Sequence, residues 1–242
     1  MVIITDGEPV WTATIAAEER RNALTRQMVA DLVDAISRFE ADDTGCVLVI
    51  RGAGRTAFCA GGDLKEMAAD DAAKPFVPVM PRLYERLLAC PKPVLAMLNG
   101  DAVGGGLEMA LCCDIVVARR EVRIGLPETR LGAVPRYGAA LLARQAGAHR
   151  ALAMALLGDL HRIEDVPGMA ALVVPDEELE QATYGMASRL ADRSSAALAA
   201  TKLIVRSAGE DRLSELVDRP DVLAVIQSDE RRRAVREFAD RS

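Results

Sequence analysis

Three short runs of unbroken apolar residues, at 46–50, 93–98 and 115–118, constrain most strongly how this 242-residue chain can fold. A run of that length without polar alternation reads as a strand covered on both faces, and such strands belong to parallel sheets flanked by helices. Gly52 closes the first run, and the turn pair Asn99-Gly100 closes the second. Helical patterns separate them, over 63–69, over 82–90, and from a glycine-rich loop through Cys113. Earlier in the chain, 10–16 alternates as a strand. Thr25 suits the N-cap of a helix whose apolar positions include Met28, Leu32, Ile36 and Phe39. The first half therefore repeats strand, loop, helix, which predicts an α/β core. From Tyr137 onward the pattern is helical, over 139–146, 150–157, 177–193, 195–206 and 228–239, with 171–174 as the one strand. Residues 70–74 read as a polar, mobile segment, and no linker or low-complexity stretch interrupts the chain.

Half the residues are apolar, enough for a large core and too many for a disordered chain. Aromatic residues are only 3%, so the core is expected to be aliphatic, and recognition of nucleic acid by stacking is disfavoured. Thirty Lys and Arg face thirty-six Asp and Glu, a net charge of −6 that argues against general affinity for nucleic acid or an anionic membrane. The five cysteines, Cys46, Cys59, Cys90, Cys112 and Cys113, form no CxxC pair, and there are two histidines. Reduced, buried packing cysteines in a cytoplasmic protein are expected, with no structural zinc and no metal in the site. Residues 1–6 lack a basic segment followed by an apolar one, so no signal peptide is expected. The longest apolar stretch, 102–118, is broken by Glu108 and Asp114 and does not read as a membrane span.

Chemistry concentrates in two glycine turns and two acids. Gly104-Gly105-Gly106 stands directly before a helix, where a backbone without side chains can approach a ligand closely. The first amides of that helix have no internal partner and lie at the positive end of its dipole, suited to a developing anion. The triplet lacks the spacing of a dinucleotide site, and Gly52-Ala53-Gly54-Arg55 lacks the lysine of a phosphate-binding loop. Residues 58–65 form a second small-residue loop after a strand and before a helix. Two such loops can aim two N–H donors at one carbonyl oxygen, each contributing about 3 kcal/mol to a developing enolate. Glu108 lies one turn inside the glycine helix among Leu107, Met109, Ala110 and Leu111. A carboxylate there needs a partner, such as an arginine, or a chemical role. Glu128 follows Leu126-Pro127, near the end of a further expected strand, and reads either as a helix N-terminal acid or as a second reacting group.

Taken together these segments resemble the enoyl-CoA hydratase/isomerase, or crotonase, family. Residues 19–24 (Glu-Arg-Arg-Asn-Ala-Leu) resemble its first coenzyme A segment. Residues 54–67, with Phe58, Ala60, Gly61, Asp63 and Leu64, resemble the first oxyanion segment. Lys92-Pro93-Val94 with 99–114 resembles the second, and 127–135 the third active-site segment. The resemblance implies a spiral of repeated ββα units over 1–190, followed by a helical trimerisation region over 191–242, assembled as trimers or paired trimers. It implies oxyanion amides at Gly62 and Gly105, with Glu108 activating water and Glu128 protonating C2 of a trans-2-enoyl-CoA. Coenzyme A would enter as part of the thioester substrate rather than as a resident cofactor. Arg21, Ala23, Ala60, Asp63 and Leu64 would contact it, joined by Phe238 and Arg241 on the last helix, with Arg20, Arg55 and Lys65 as further candidates for its phosphates. Isomerisation, other acyl-CoA chemistry, or silent acyl-CoA binding are the alternatives on the same scaffold. The sequence departs from the family's hydratases after Pro135, where Arg136-Tyr137-Gly138 replaces a longer glycine-rich turn, and the resemblance makes Tyr137 or Arg136 the expected lining of the acyl pocket.

Overall fold

In a computed structural model, residues 1–69, 79–207 and 229–240 are described. The polar segment at 70–74, read above as mobile, lies outside them. Strands β1 (Val2–Gly7) and β2 (Val10–Ile15) open the chain, then α1 (Arg26–Ala41). Three related units follow. The first is β3 (Val47–Gly52), β4 (Ala57–Cys59), α2 (Leu64–Ala68) and α3 (Val79–Ala89). The second is β5 (Val94–Leu98), β6 (Asp101–Val103) and α4 (Gly105–Cys112). The third is β7 (Ile115–Arg119), β8 (Arg123–Gly125), a 3-10 turn at Pro127–Leu131 and α5 (Arg136–Ala146). Then come α6 (Ala148–Leu157), β9 (His161–Arg162), β10 (Leu172–Val174), α7 (Leu179–Ala191), α8 (Ser195–Ser207) and α9 (Asp229–Asp240).

The strands form two sheets. The larger runs β1-β2-β3-β5-β7-β10, parallel except for the β1–β2 pair. The smaller runs β4-β6-β8-β9, parallel except at β8–β9. Each unit thus contributes a long strand to one sheet, a short strand to the other, and then a helix. This is the expected spiral of ββα units. The three expected buried strands are the centre of the large sheet. Leu48 and Ile50 face the core shared with α1 and α3, while Val47 and Val49 face Leu95, Met97, Val117 and α7. Burial on both faces is why these strands are apolar without alternation.

Patterning alone did not find β4 and β6, which have three residues each, too few for a period of two to register, whereas the strand expected just before Leu126-Pro127 is present as β8. β1 and β9 also went unread, so 171–174 is not the only strand of the second half.

Two buried asparagines hold the small sheet against the large one. Asn99 accepts from Gly52 N at 2.9 Å and donates to Gly52 O and Gly54 O at 2.9 and 2.7 Å. Asn22 accepts from Ala17 N at 3.1 Å and donates to Ala53 O and Ala57 O at 3.0 and 2.7 Å. Asn22 has φ of 57°, a left-handed conformation that asparagine tolerates better than most residues. Thr25 caps α1 by accepting from Met28 N, as expected. Helix α8 is tied to the core at Asp114, whose carboxylate meets Lys202 Nζ at 2.6 Å and Arg206 Nη2 at 2.7 Å. Four cysteines are buried and none is paired, but Cys46 is only half-buried, because it stands just outside β3. Among the described residues, no helix is long and apolar enough to cross a membrane.

Candidate active site

The register of the small sheet builds the site. Cys59 on β4 pairs with Ala102 on β6, and Val103 on β6 pairs with Gly125 on β8. All three strands are parallel, so three chain segments leave the same end side by side. Ala60-Gly61-Gly62 follows β4, Gly104-Gly105 follows β6, and Leu126-Pro127-Glu128 follows β8. Carboxyl ends of parallel strands are where ligands collect in such sheets.

The two glycine turns touch. A methyl group placed on Gly61 would lie 3.1 Å from Gly105 N, and one on Gly105 would lie 3.6 Å from Gly61 Cα. Gly61 (φ 94°) and Gly104 (φ 56°) hold conformations that favour glycine. Gly62 forms an isolated bridge with Leu24, in which Leu24 N donates to Gly61 O at 2.7 Å and Asp63 N to Leu24 O at 2.9 Å. That alternation turns the N–H of Gly62 away from Leu24. Gly105 is the first residue of α4, so its N–H has no partner within the helix. The bridge also ties the segment of Ala23 to the loop of Ala60, and Ala60 N donates to Arg21 O at 3.0 Å.

Glu108 is 9% exposed. Two donors meet its carboxylate directly, a main-chain amide and a phenol. Gly138 N donates to Oε1 at 2.8 Å, and the Tyr84 hydroxyl lies 3.0 Å from Oε2. Gly138 is in the first turn of α5, whose N-cap Pro135 offers no side-chain cap. Glu108, from α4, therefore supplies the anion that the N-terminus of α5 attracts. Burial raises its proton affinity above the ordinary carboxylate range. The amide of Gly138, the Tyr84 hydroxyl and the charge of Arg136 oppose that rise.

Glu128 sits on the 3-10 turn after β8, with Pro127 at the first position, as its sequence context suggested. Its carboxylate reaches Gly104, where a methyl would lie 3.1 Å from Oε1. Oε2 is buried without a hydrogen-bond partner among the described residues. Burial raises its proton affinity well above the usual value, and the charge of Glu108 raises it further. Both acids thus hold a proton more tightly than an ordinary carboxylate, and on Glu108 the Gly138 amide and the Tyr84 hydroxyl oppose that rise.

The remaining predicted residues divide. Tyr137 is buried, its ring 5.1 Å from that of Tyr84 and its hydroxyl 3.1 Å from Glu85 Oε1. It therefore stands beside the acids. Asp63 caps α2 through hydrogen bonds from Lys65 N and Glu66 N, and pairs with Arg20 Nη1 at 2.7 Å. Arg21 pairs with buried Asp101 at 3.1 Å, and Arg123 binds the same carboxylate at 2.7 Å. Arg20 and Arg21 each keep about half of the side chain exposed (42% and 51%) while their guanidinium groups pair with acids. Lys65 is exposed and Leu64 half-buried at the start of α2, while Arg55 pairs with Asp176. Helix α9 packs against α2 and the turn bearing Glu128, with Val235 buried. The side chain of Phe238, and Arg241, lie outside the described residues. Sequence reasoning missed Tyr84, Gly138 and Asp101. The one available signal for Tyr84 was a hydroxyl on the apolar face of α3, between Leu83 and Leu87.

A fold of two parallel sheets in ββα units, with two glycine turns and two buried acids at one end, defines a class that the comparisons name. The enoyl-CoA hydratase/isomerase family profile matches residues 6–242, and the chain belongs to that family. It is 35% identical to 2,3-dehydroadipyl-CoA hydratase of Escherichia coli K12 over 212 residues, covering 86% of this chain and 83% of that protein. It is 36% identical to 1,2-epoxyphenylacetyl-CoA isomerase of the same organism over 218 residues, with the same coverage. Among solved structures, an enoyl-CoA hydratase/isomerase from Pseudoalteromonas atlantica superposes with a TM-score of 0.88 at 26% identity, covering 99% of this chain and 97% of that one. The crotonase fold expected from the sequence is therefore the fold of this protein.

Proposed function

We propose that the protein is an enoyl-CoA hydratase, adding water across the 2,3 double bond of a trans-2-enoyl-CoA thioester. The observation that carries this reading is the unequal pair of carboxylates beside touching glycine turns. Hydration needs a base for water and an acid for C2 at once, and Glu108 and Glu128 are differentiated in that sense. The amides of Gly62 and Gly105 would donate to the thioester oxygen and stabilise the enolate as it forms. Glu108 takes a proton from water, whose oxygen bonds to C3. Glu128 gives its proton to C2, and exchange with solvent returns both acids to their starting state.

Coenzyme A enters as the carrier of the substrate. The half-exposed side chains of Arg20 and Arg21, beside Ala23, Ala60, Asp63 and Leu64, support a phosphate-facing role for that edge. Phe238 and Arg241 on the last helix, and assembly into trimers or paired trimers through the C-terminal helices, belong to the same proposal. Tyr137 would border the acyl group. Isomerisation of an enoyl-CoA is the second reading, favoured by the 36% identical relative named as an isomerase.

The test is loss of enoyl thioester absorbance with crotonyl-CoA. Glu108→Gln and Glu128→Gln should each reduce turnover by about two or more orders of magnitude, with thioester binding retained. Turnover indifferent to Glu108→Gln, with a shifted double bond in the product, would transfer the assignment to isomerase.

A further inference from the structure

Tyr84 lies on α3, outside all the segments that carry the glycines and acids, yet its hydroxyl stands between them. The phenol oxygen is 3.0 Å from Gly105 O and 3.0 Å from Glu108 Oε2. A phenol has one proton, and the two acceptors cannot both receive it at full strength. With Glu108 ionised, the O–H points at the carboxylate. With Glu108 protonated, the carboxyl O–H donates to the phenol oxygen and the phenol proton turns to Gly105 O.

The ring cannot move away to avoid this choice. Tyr84 is 2% exposed, among the largest fully enclosed side chains of the core. Its ring packs on Tyr137 at an interplanar angle of 58°. Facing the pair from the surrounding elements are Cys59, Cys112, Arg136, Tyr137 and Glu128. Burial pushes the Cys59 thiol up to about 12 and the Cys112 thiol well above its usual value, so both stay neutral where the carboxylates titrate. The phenol's own proton is held more tightly still.

We propose that Tyr84 is a positioning residue whose hydroxyl follows the proton on Glu108, holding that carboxyl in place in both charge states and linking its charge to the Gly105 peptide. This rests on the reading of Glu108 as the base. Only a proton moves: water's proton passes to Glu108 and the phenol O–H rotates. No bond at Tyr84 is made or lost, and no charge leaves the site.

The experiment is Tyr84→Phe, which keeps the ring, read by two independent measurements. First, a carboxyl carbon-13 NMR titration follows Glu108, assigned by its loss in Glu108→Gln. Its midpoint should rise by about one pH unit, because the ionised form loses a donor. Second, kcat for crotonyl-CoA should fall about tenfold with KM within about twofold, and the acidic limb of the kcat profile should move to higher pH. In the Glu108→Gln background the same change should cost much less. An unmoved midpoint, or equal losses in both backgrounds, overturns the proposal. A wild-type protein without hydratase turnover but with the shifted midpoint overturns only the functional reading. If Tyr84→Phe does not fold, 3-fluorotyrosine incorporation replaces it: the stronger donor should lower the midpoint, and an unchanged midpoint overturns the proposal.

Discussion

Glu108 and Glu128 are both buried but solvated unequally: Glu108 meets the amide of Gly138 at 2.8 Å, while Glu128 Oε2 has no donor among the described residues. On the proposed reading Glu108 is the base and Glu128 the acid, and burial raises the proton affinity of both, with the charge of Glu108 adding to the rise at Glu128. Activity should rise with pH as Glu108 ionises, above the ordinary carboxylate value, because its pKa is raised. It should fall as Glu128 loses its proton at higher pH, because its pKa is raised further. A bell-shaped kcat/KM profile checks this. Glu128→Gln should remove most activity at every pH, and Glu108→Asp should keep part of the acidic limb.

The same burial makes Glu128 costly to stability. Its folded-state pKa lies above the unfolded value, so the stability it contributes is complete at low pH and is lost as pH rises through the folded value. Glu128→Gln should therefore stabilise the protein by about 1 kcal/mol near pH 8, a rise in Tm of about 2–4 °C. The gain should shrink toward about pH 5. Melting curves at the two pH values measure it.

Gly105 and Gly106 are neighbours with different tolerances. A methyl on Gly105 would meet Met80 Cε and the Tyr84 hydroxyl at 2.9 Å, both at the ends of side chains. A methyl on Gly106 would meet the main-chain oxygen of Cys59 at 2.1 Å. Gly105→Ala should still fold, at a cost of about 1–3 kcal/mol because Met80 can turn aside but the enclosed Tyr84 cannot, and should lose activity by about 10²-fold through displaced groups beside the proposed oxyanion amide. Gly106→Ala should lose folded protein first, by more than about 3 kcal/mol, because backbone cannot give way. Activity and urea titration of the two variants separate these outcomes.

Asn22 joins three loops from one left-handed residue. Asn22→Ala strands Ala17 N, Ala53 O and Ala57 O together. The expected loss is about 3 kcal/mol, or about 6–12 °C in Tm. A loss under about 1 kcal/mol would mean that water replaces the side chain.

What the sequence reveals tracks how local the governing physics is. Continuous apolar runs identified β3, β5 and β7, since two-sided burial marks every residue of a strand. Thr25 and Pro127 marked helix starts because caps and first turns act within three residues. Apart from β8, the short strands of the small sheet were silent: β6 is Asp101-Ala102-Val103, and its partners come from elsewhere in the chain. Glu108 and Glu128 stood out as acids in apolar or proline contexts. That Tyr84 and Gly138 donate to Glu108 is tertiary information, since they lie 24 and 30 residues from it. Arg21 was identified as a ligand contact, but its pairing with Asp101 spans 80 residues and left no local trace.

The division of labour between the two acids is tested most directly by one turnover of crotonyl-CoA in deuterium oxide, with the product read by proton NMR. The wild-type protein should give 3-hydroxyacyl-CoA carrying a single deuterium at C2, and Glu128→Gln should form that product at least about 100-fold more slowly. A product without oxygen at C3, or hydration by Glu128→Gln at the wild-type rate, would contradict the assignment.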